Sequence, residues 1–291
     1  MPELPEVEVT RRRLAPLLVG RIIERVDTTK DSYFFLTKPA ELKRRLTGRT
    51  IVELSRHGKY LLAELDDSNR LLLHLGMTGQ LFSSAATSVR LFSAKTRGSL
   101  APEALREFKA DGHTHLSLHF QDGGPSVLFR DVRKFGKVAL LRAGKDDPRL
   151  DKLGVDALVA TGSTLYEAAR KRKTPIKTLL LDQGVIAGIG NIYADEALFL
   201  AKVRPTRSAR RVTARESDAI VAAAQRVMKR SIETGGSSIS DYVTPDGSDG
   251  GYQNERKVYA RKDAPCLVCE TPIKRVVIAT RSTHYCPNCQ S

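Results

Sequence analysis

Two groups of residues in this 291-residue chain have the types and spacing that chemistry needs. The first is the opening Met1-Pro2-Glu3-Leu4-Pro5-Glu6. An initiator Met before a small residue is commonly trimmed, which would expose Pro2 as a secondary amine. An α-amino group titrates near ~8, about two units below lysine, so part of it is unprotonated at neutral pH. A neutral amine is the nucleophile that forms a Schiff base with a carbonyl or a sugar C1′. Glu3 beside it could give a proton to a leaving group or sugar oxygen and later take one back. The plainer alternative is a capped helix start whose carboxylates only complement the dipole, and composition by itself favours it.

The second group is Cys266-Leu-Val-Cys269 and Cys286-Pro-Asn-Cys289, which hold all four cysteines. Two Cys-x-x-Cys pairs sixteen residues apart have the spacing of a zinc site. Each pair gives two thiolates, and a hairpin between them, with β-branched residues over Ile273 to Ile278, would bring the pairs together. A pair of disulfides or a four-thiolate iron site would use the same residues, but the spacing and the expected compartment favour one zinc ion. Four thiolates leave no open position for water, so this metal is structural and the chemistry must lie elsewhere. Lys274, Arg275 and Arg281 make the module basic.

The elements that must position these groups follow from composition and pattern. Lys and Arg number 48 against 33 Asp and Glu, a net charge of +15, with 41% hydrophobic residues. That profile is globular, excludes a basic tail, and calls for a polyanionic partner. The longest charge-free stretch, Leu71 to Val89, is broken by His74, Gly76, Gly79 and Gln80 and cannot cross a bilayer. With no signal peptide in view, the expectation is a cytoplasmic protein with reduced cysteines, acting on nucleic acid rather than at a membrane. Arg170 to Lys173 and the acid-free run from Lys202 to Arg215 add basic clusters suited to tracking phosphates.

Residues 21–142 are strand-like, with a hairpin expected across Thr114 to Arg130, and Pro5 to Leu18 reads as a helix that Pro16 is placed to end or kink. After an acidic stretch, capping signals at Thr164/Glu167, Thr174-Pro175 and Thr213/Glu216 mark a helical half, with a further helix from Asn191 to about Lys202. Gly235 to Gly251 reads as a mobile loop. His113, His115 and His119 share strand parity opposite Leu116, Leu118 and Phe120, which turns them toward solvent or a ligand. No carboxylate set accompanies them to make a metal triad.

Several motifs, taken in order, resemble one family. Pro2-Glu3 is followed by His57-Gly58-Lys59-Tyr60, His74-Leu75-Gly76-Met77-Thr78-Gly79, Arg133-Lys134-Phe135-Gly136, Gly188-Ile189-Gly190-Asn191-Ile192-Tyr193 and the cysteine module. The chain is similar over nearly its whole length to bacterial formamidopyrimidine-DNA glycosylases, in the wider family they share with endonuclease VIII. Leu4 and Phe135 favour the former branch. The resemblance implies an α+β multidomain protein: an N-terminal catalytic β-sandwich with its N-terminal helix (1–142), a linker (143–160), a helix–two-turn–helix domain (161–252) with a lesion-side loop (235–251), and a four-cysteine zinc finger (253–291).

It also implies roles. Pro2 would displace an oxidised purine (8-oxoguanine or a formamidopyrimidine) from C1′ and hold the sugar as an imine, with Glu3 as acid and base and Glu6 ordering the site. Lys59 would serve the strand-cleaving elimination, and Arg281 would grip phosphate and aid the second elimination. Met77, Arg133 and Phe135 would fill the gap left by an extruded base. His113, Lys173 and Asn191 would contact DNA. Read without the resemblance, Met77 and Phe135 are core residues and Lys59 a surface lysine. The expected partner is damaged double-stranded DNA, bound by a monomer. An endonuclease VIII-like enzyme for oxidised pyrimidines, or a non-catalytic zinc-finger DNA-binding protein, remains the alternative. Two departures stand out: the family commonly has Arg where Lys134 stands, and Ser83 to Asp111 carries no motif.

Overall fold

Short apolar runs cut by Gly and Asp fold as antiparallel strands. In the computed structural model, which describes residues 2–86, 110–145, 147–239 and 242–291, these build two four-stranded sheets. One has the order β1 (Ile23–Thr28), β6 (Thr114–Phe120), β7 (Val127–Asp131), β5 (Gly79–Ser83). The other runs β2 (Ile51–His57), β3 (Tyr60–Leu65), β4 (Arg70–His74), β8 (Lys137–Leu141). Both sheets give side chains to one core: Ile23, Leu81, Leu116, Leu118 and Phe129 from the first meet Leu54, Leu61, Leu71, Leu73 and Val138 from the second. Val7, Leu14 and Leu18 of helix α1 (Leu4–Leu18), and Leu42 and Leu46 of α2 (Pro39–Leu46), complete it. This is the expected sandwich with its N-terminal helix.

Two local expectations change. Helix α1 runs through Pro16 to Leu18, because a proline in the last turn removes a single ladder bond and Val19 N–H still closes the helix on Ala15 O at 2.9 Å. His115, expected outside, is 1% exposed. Between Thr114 and Leu116 strand β6 advances two residues while β7 advances one, from Arg130 to Phe129. His115 is therefore the extra residue of a β-bulge, and a bulge resets the alternation on which parity arguments rest. The segment Ser83 to Asp111 lies largely outside the described residues.

The chain forms two compact units: residues up to Asp147 with Thr234–Gly251, and Pro148–Glu233 with Tyr252–Ser291. Thr234–Gly251 thus groups with the sheets and not with the helices that precede it. Despite its Gly, Ser and Asp content, Ser237, Ser238, Tyr242, Val243 and Thr244 of this segment are buried.

The second unit holds α3 (Pro148–Asp151), a parallel bridge of β9 (Val155–Asp156) with β10 (Ile186–Ala187), then α4 (Gly162–Ala169), α5 (Ile176–Leu180), α6 (Asn191–Leu200) and α7 (Ala214–Glu233). The α7 capping box is the one expected: Glu216 N–H donates to Thr213 Oγ1 (3.2 Å) and Thr213 N–H to Glu216 Oε2 (2.9 Å). Helix α4 starts a turn earlier than expected, on Thr161 rather than Thr164. Its first residue is glycine for a reason of space: a Cβ on Gly162 would lie 2.6 Å from Asp218 Cα of α7. Gln183 braces the turn before α6, donating to Leu181 O (3.0 Å) and Ile189 O (2.8 Å) and accepting from Gly188 N–H (2.9 Å).

The cysteine hairpin, β11 (Lys274–Ile278) paired with β12 (Arg281–Tyr285), is fixed to these helices by buried charge. Lys177 and Asp195, both 0% exposed, pair at 2.7 Å. Lys177 Nζ also donates to Ser282 O (2.8 Å) and Thr283 Oγ1 (2.9 Å), and Asp195 Oδ2 accepts His284 N–H (2.8 Å). Buried Glu196 accepts three backbone N–H groups, from Lys257, Val258 and Tyr259, at 2.8–2.9 Å. A buried pair that loses one partner leaves the other charge uncompensated, so Lys177→Met should cost about 3–5 kcal/mol in urea unfolding, whereas a loss below ~1 kcal/mol would contradict a buried charge clamp.

Candidate active site

The start of α1 is built around buried carboxylates. Pro5 sits in the first helical turn, where its missing N–H costs no bond. Pro2 is buried, and Glu3 and Glu6 are 2% and 1% exposed. Glu3 caps the helix in a reciprocal box with Glu6, in which Glu3 N–H donates to Glu6 Oε2 at 2.8 Å. The other Glu6 oxygen, Oε1, accepts Ser237 N–H at 2.9 Å, and Glu6 O accepts from Thr10 Oγ1 (2.8 Å) and the Tyr242 hydroxyl (3.3 Å). One side chain therefore fixes the backbone next to Pro2 and the Gly235–Gly251 segment together. Burial, and then the charge of Glu6, raises the Tyr242 phenol above its usual range, so it stays a donor. Gly236 admits this approach: its φ is +87°, and a Cβ there would meet Tyr242 Cε1 at 2.9 Å. None of Ser237, Tyr242 or Glu8 is marked by sequence pattern.

Glu8 ties the same helix to the strand pair carrying Lys59. Its carboxylate accepts from Arg11 Nη2 (2.8 Å), Arg12 Nε (2.8 Å) and Arg56 Nε (3.1 Å), and Arg56 Nη1 donates to Gly58 O (2.9 Å). The Gly58-Lys59 turn is thereby anchored to the helix that begins at Pro2-Glu3. Lys59 is 9% exposed and not the surface lysine that its type suggests. Beside it, the His74 ring lies 4.6 Å from that of Tyr60 and its Nδ1 accepts Gly76 N–H at 3.2 Å. Burial, then the charges of Lys59 and Lys137, push His74 down to about 4, so it is neutral at physiological pH.

Met77, Arg133 and Phe135 come together on two loops buckled by one carboxylate. Asp131, 0% exposed, accepts from Thr78 Oγ1 (2.5 Å) and Arg133 N–H (3.1 Å) on Oδ1 and from Gly136 N–H (2.6 Å) on Oδ2. The loops touch at Gly76, where a Cβ would lie 2.4 Å from the Phe135 carbonyl carbon. The Arg133 guanidinium stands 4.7 Å from the Phe135 ring centroid, and Tyr33 OH donates to Arg133 O at 2.7 Å. Phe135 is 39% exposed, and Met77 is half-buried, so neither is core. Lys134, where the family commonly has Arg, takes φ +57° between Arg133 and Phe135 in the chain. His113 is exposed beside this cluster, its carbonyl accepting Asp131 N–H at 2.9 Å.

The remaining expected residues belong to the second unit. Lys173 is exposed, on a segment held by Ser208 Oγ donating to its carbonyl (3.0 Å). Asn191 opens α6 and donates through Nδ2 to Ser282 O at 2.9 Å, next to exposed Arg281. The β11–β12 turn is Ala279-Thr280, with φ +47° and +65°. A β-branched residue held there is strained, and the turn sets Arg281 at the strand start opposite Ile278. The four cysteine sulfurs lie within 4.8 Å of one another, with Cys269 Sγ 3.4 Å from Cys286 Sγ and from Cys289 Sγ. Thiolates on one zinc ion at ~2.3 Å stand roughly 3.8 Å apart in a tetrahedron. Cys266, Cys269, Cys286 and Cys289 thus fit one structural zinc ion. His119 instead meets Asp27 Oδ2 (2.9 Å) and Ser126 Oγ (2.7 Å), apart from His115.

Three family models match: the formamidopyrimidine-DNA glycosylase N-terminal domain over residues 1–138, the H2TH domain of the same enzymes over 153–243, and the zinc finger found in FPG and IleRS over 264–291. A helix that starts on Pro-Glu, an H2TH module and a thiolate finger in this order make the chain a zinc-finger DNA glycosylase. The chain belongs to the formamidopyrimidine-DNA glycosylase family. It is 41% identical to the enzyme of that name from Dinoroseobacter shibae, with 100% of both chains covered, and 38% identical to that from Thermus thermophilus, covering 100% of this chain and 98% of the other. The crystal structure of MutM (Fpg) from Thermus thermophilus superposes with TM-score 0.82 at 36% identity, over 99% of this chain and 98% of that one. Lactococcus lactis Fpg in complex with DNA containing an abasic site gives TM-score 0.85 at 33% identity, with 100% of both covered. Among the described residues no helix is long and apolar enough to cross a membrane.

Burial works to raise the Glu8 carboxyl, but hydrogen bonds from Arg11, Arg12 and Arg56 outweigh it and hold it at about 2. Because this lies below the ordinary 4.5, the stabilisation is complete above pH 4.5 and is lost as pH falls toward 2. It amounts to roughly 3 kcal/mol. Glu8→Gln should therefore be less stable than the parent at pH 7, with the gap closing between pH 4.5 and 2 in urea titrations. A gap that persists to the acid end would contradict the assignment.

Proposed function

We propose that the protein is a monomeric, cytoplasmic repair enzyme that excises oxidised purines from double-stranded DNA and then cleaves the strand. The observation that carries this reading is the buried Pro2-Glu3 start of α1, braced by Glu6, in a chain similar from end to end to formamidopyrimidine-DNA glycosylases. Removal of Met1 frees the Pro2 amine. Its lone pair attacks C1′, the glycosidic bond breaks, and the base leaves with its bonding electrons and takes up the proton that the amine nitrogen loses. Glu3 donates to the ring oxygen as the sugar opens, giving an iminium between Pro2 and C1′. The iminium acidifies the C2′ proton; its removal expels the 3′ phosphate, and a second elimination expels the 5′ phosphate. Lys59, on the turn tied to α1, serves these eliminations, and Arg281 holds the flanking phosphate.

The extruded nucleotide leaves a gap in the stack. Met77 and Phe135 supply apolar surface for it, and the Arg133 guanidinium supplies donors for the orphaned base. His113, Lys173 and Asn191 contact the backbone, with Asn191 at a helix N-terminus. Zinc on the four cysteines holds the Arg281 hairpin and takes no part in the steps. Along the sequence the corresponding domains are residues 1–142, 161–252 and 253–291, with 143–160 linking the first two and 235–251 turned back onto the first.

Single-turnover assays on duplexes carrying 8-oxoguanine or an oxidised pyrimidine test the reading. Release of the purine should be the faster, and Glu3→Gln should slow it by about 10²-fold or more, the usual worth of a positioned acid. Preference for the pyrimidine would make the chain endonuclease VIII-like. No release of either would leave a DNA-binding protein. Arg281→Ala should weaken DNA binding across sequences and lower the salt slope by about one unit.

A further inference from the structure

The bulge in β6 does more than bury a histidine. His115 Nε2 lies 2.9 Å from the backbone carbonyl of Asp131, and Nδ1 lies 3.1 Å from Thr29 Oγ1. A carbonyl only accepts, so Nε2 carries the proton, and Nδ1 accepts from the Thr29 hydroxyl. The ring rests on Phe34, with centroids 4.9 Å apart, and Phe34 in turn meets Phe129 at 4.9 Å. Thr29 N–H donates to His115 O at 3.1 Å, so backbone and side chain are fixed by the same neighbour. Burial lowers the ring's proton affinity, which keeps it neutral.

Asp131 is the residue on which the Met77 and Arg133–Phe135 loops depend. Its side chain takes Thr78, Arg133 and Gly136, while its own N–H is spent on His113 O. Only its carbonyl faces His115. The imidazole thus bears directly on the main chain of the residue whose carboxylate closes both loops. We infer that His115 is a positioning residue for base extrusion: through the Asp131 carbonyl it sets the height and angle at which Arg133 and Phe135 enter the helix. This inference rests on the proposed role of Met77, Arg133 and Phe135 and adds to it a group that touches neither DNA nor the reacting atoms.

The chemistry of the two ring nitrogens gives a discriminating series. Glutamine places an amide N–H where Nε2–H stands, so His115→Gln keeps the bond to Asp131. Asparagine reaches only the Nδ1 position, so His115→Asn keeps the Thr29 contact and loses Asp131. Both are polar and smaller than or similar to imidazole, so a general packing defect would affect them alike. The readouts are excision of 8-oxoguanine from duplex DNA, fluorescence of a 2-aminopurine beside the lesion as it unstacks, and cleavage of a single-stranded abasic oligonucleotide, which has no stack to invade. Thermal midpoints accompany each variant, and Phe135→Ala is the reference for loss of the wedge.

His115→Asn should slow duplex excision by about tenfold or more, as a small misplacement of an aligned group does, and delay the 2-aminopurine signal. Cleavage of the single-stranded abasic site should be unchanged, and His115→Gln should restore duplex excision. If His115→Asn matches the parent while Phe135→Ala is slow, the positioning role is wrong and the wedge stands. If Phe135→Ala itself matches the parent, the wedge reading and this inference both fall. Should His115→Asn not fold, Thr29→Val with nitrogen NMR of the His115 ring decides the point. The parent should show a neutral Nε2–H tautomer at pH 7, and the variant, whose Nε2–H still faces the Asp131 carbonyl but whose ring has lost the donor that orients it, the same tautomer with slowed duplex excision. An imidazolium or an Nδ1–H tautomer in the parent would overturn the inference.

Discussion

The arrangement depends on one buried carboxylate holding two backbone amides that are far apart in sequence. Glu6 Oε2 receives the N–H of Glu3, and Oε1 receives the N–H of Ser237, 231 residues away. A carboxylate taken out of water is costly unless its lone pairs are filled, and charge-assisted bonds to N–H groups are among the stronger ones available. Each amide offsets part of that cost, so the residue next to Pro2 and Ser237 are coupled through one side chain. Arg13 reinforces the same junction, donating to Thr244 Oγ1 (3.2 Å) and Ser248 Oγ (3.0 Å) and pairing with Asp246.

The same device recurs around the molecule. Asp131 fills its oxygens with a hydroxyl and two backbone amides to close the Met77 and Arg133–Phe135 loops. Glu196 fills its own with three consecutive amides ahead of the cysteine hairpin, and Asp195 with Lys177 and His284 N–H. Each of these acids is buried: Asp131 holds the loops of Met77, Arg133 and Phe135, Asp195 holds the strand that begins at Arg281, and Glu196 holds the segment that enters the cysteine module. The surface charge surplus can attract DNA from a distance. The buried acids fix where individual side chains stand.

How much of this was legible in the sequence depended on whether its physical cause was local. The β6–β7 hairpin, the Thr213–Glu216 capping box and each Cys-x-x-Cys pair are set by residues within a few positions of one another, and all three are present as their local patterns imply. The extra residue at His115 is a matter of register between two strands, and alternation counted along one strand cannot detect it. The Gly, Ser and Asp content of Gly235–Gly251 suggests a loop but does not reveal its burial. Yet its amides and hydroxyls are those a compact loop needs when the partners, Glu6 and Arg13, lie on a distant helix. Lys59 and Phe135 failed the other way: a lysine is buried and a phenylalanine exposed, against the usual preference of each type. Such inversions are expected at functional sites, where local rules yield to the ligand.

The central claim is that the first covalent bond forms at the Pro2 nitrogen, held next to Glu3 by Glu6. Borohydride reduction during turnover of an 8-oxoguanine duplex freezes any imine, and peptide mapping by mass spectrometry then locates the sugar. The expected product is a conjugate on the N-terminal peptide, with Met1 absent and the sugar carbon on the nitrogen of Pro2. A conjugate on the Lys59 ε-amine, or none from protein that releases the base, would contradict it.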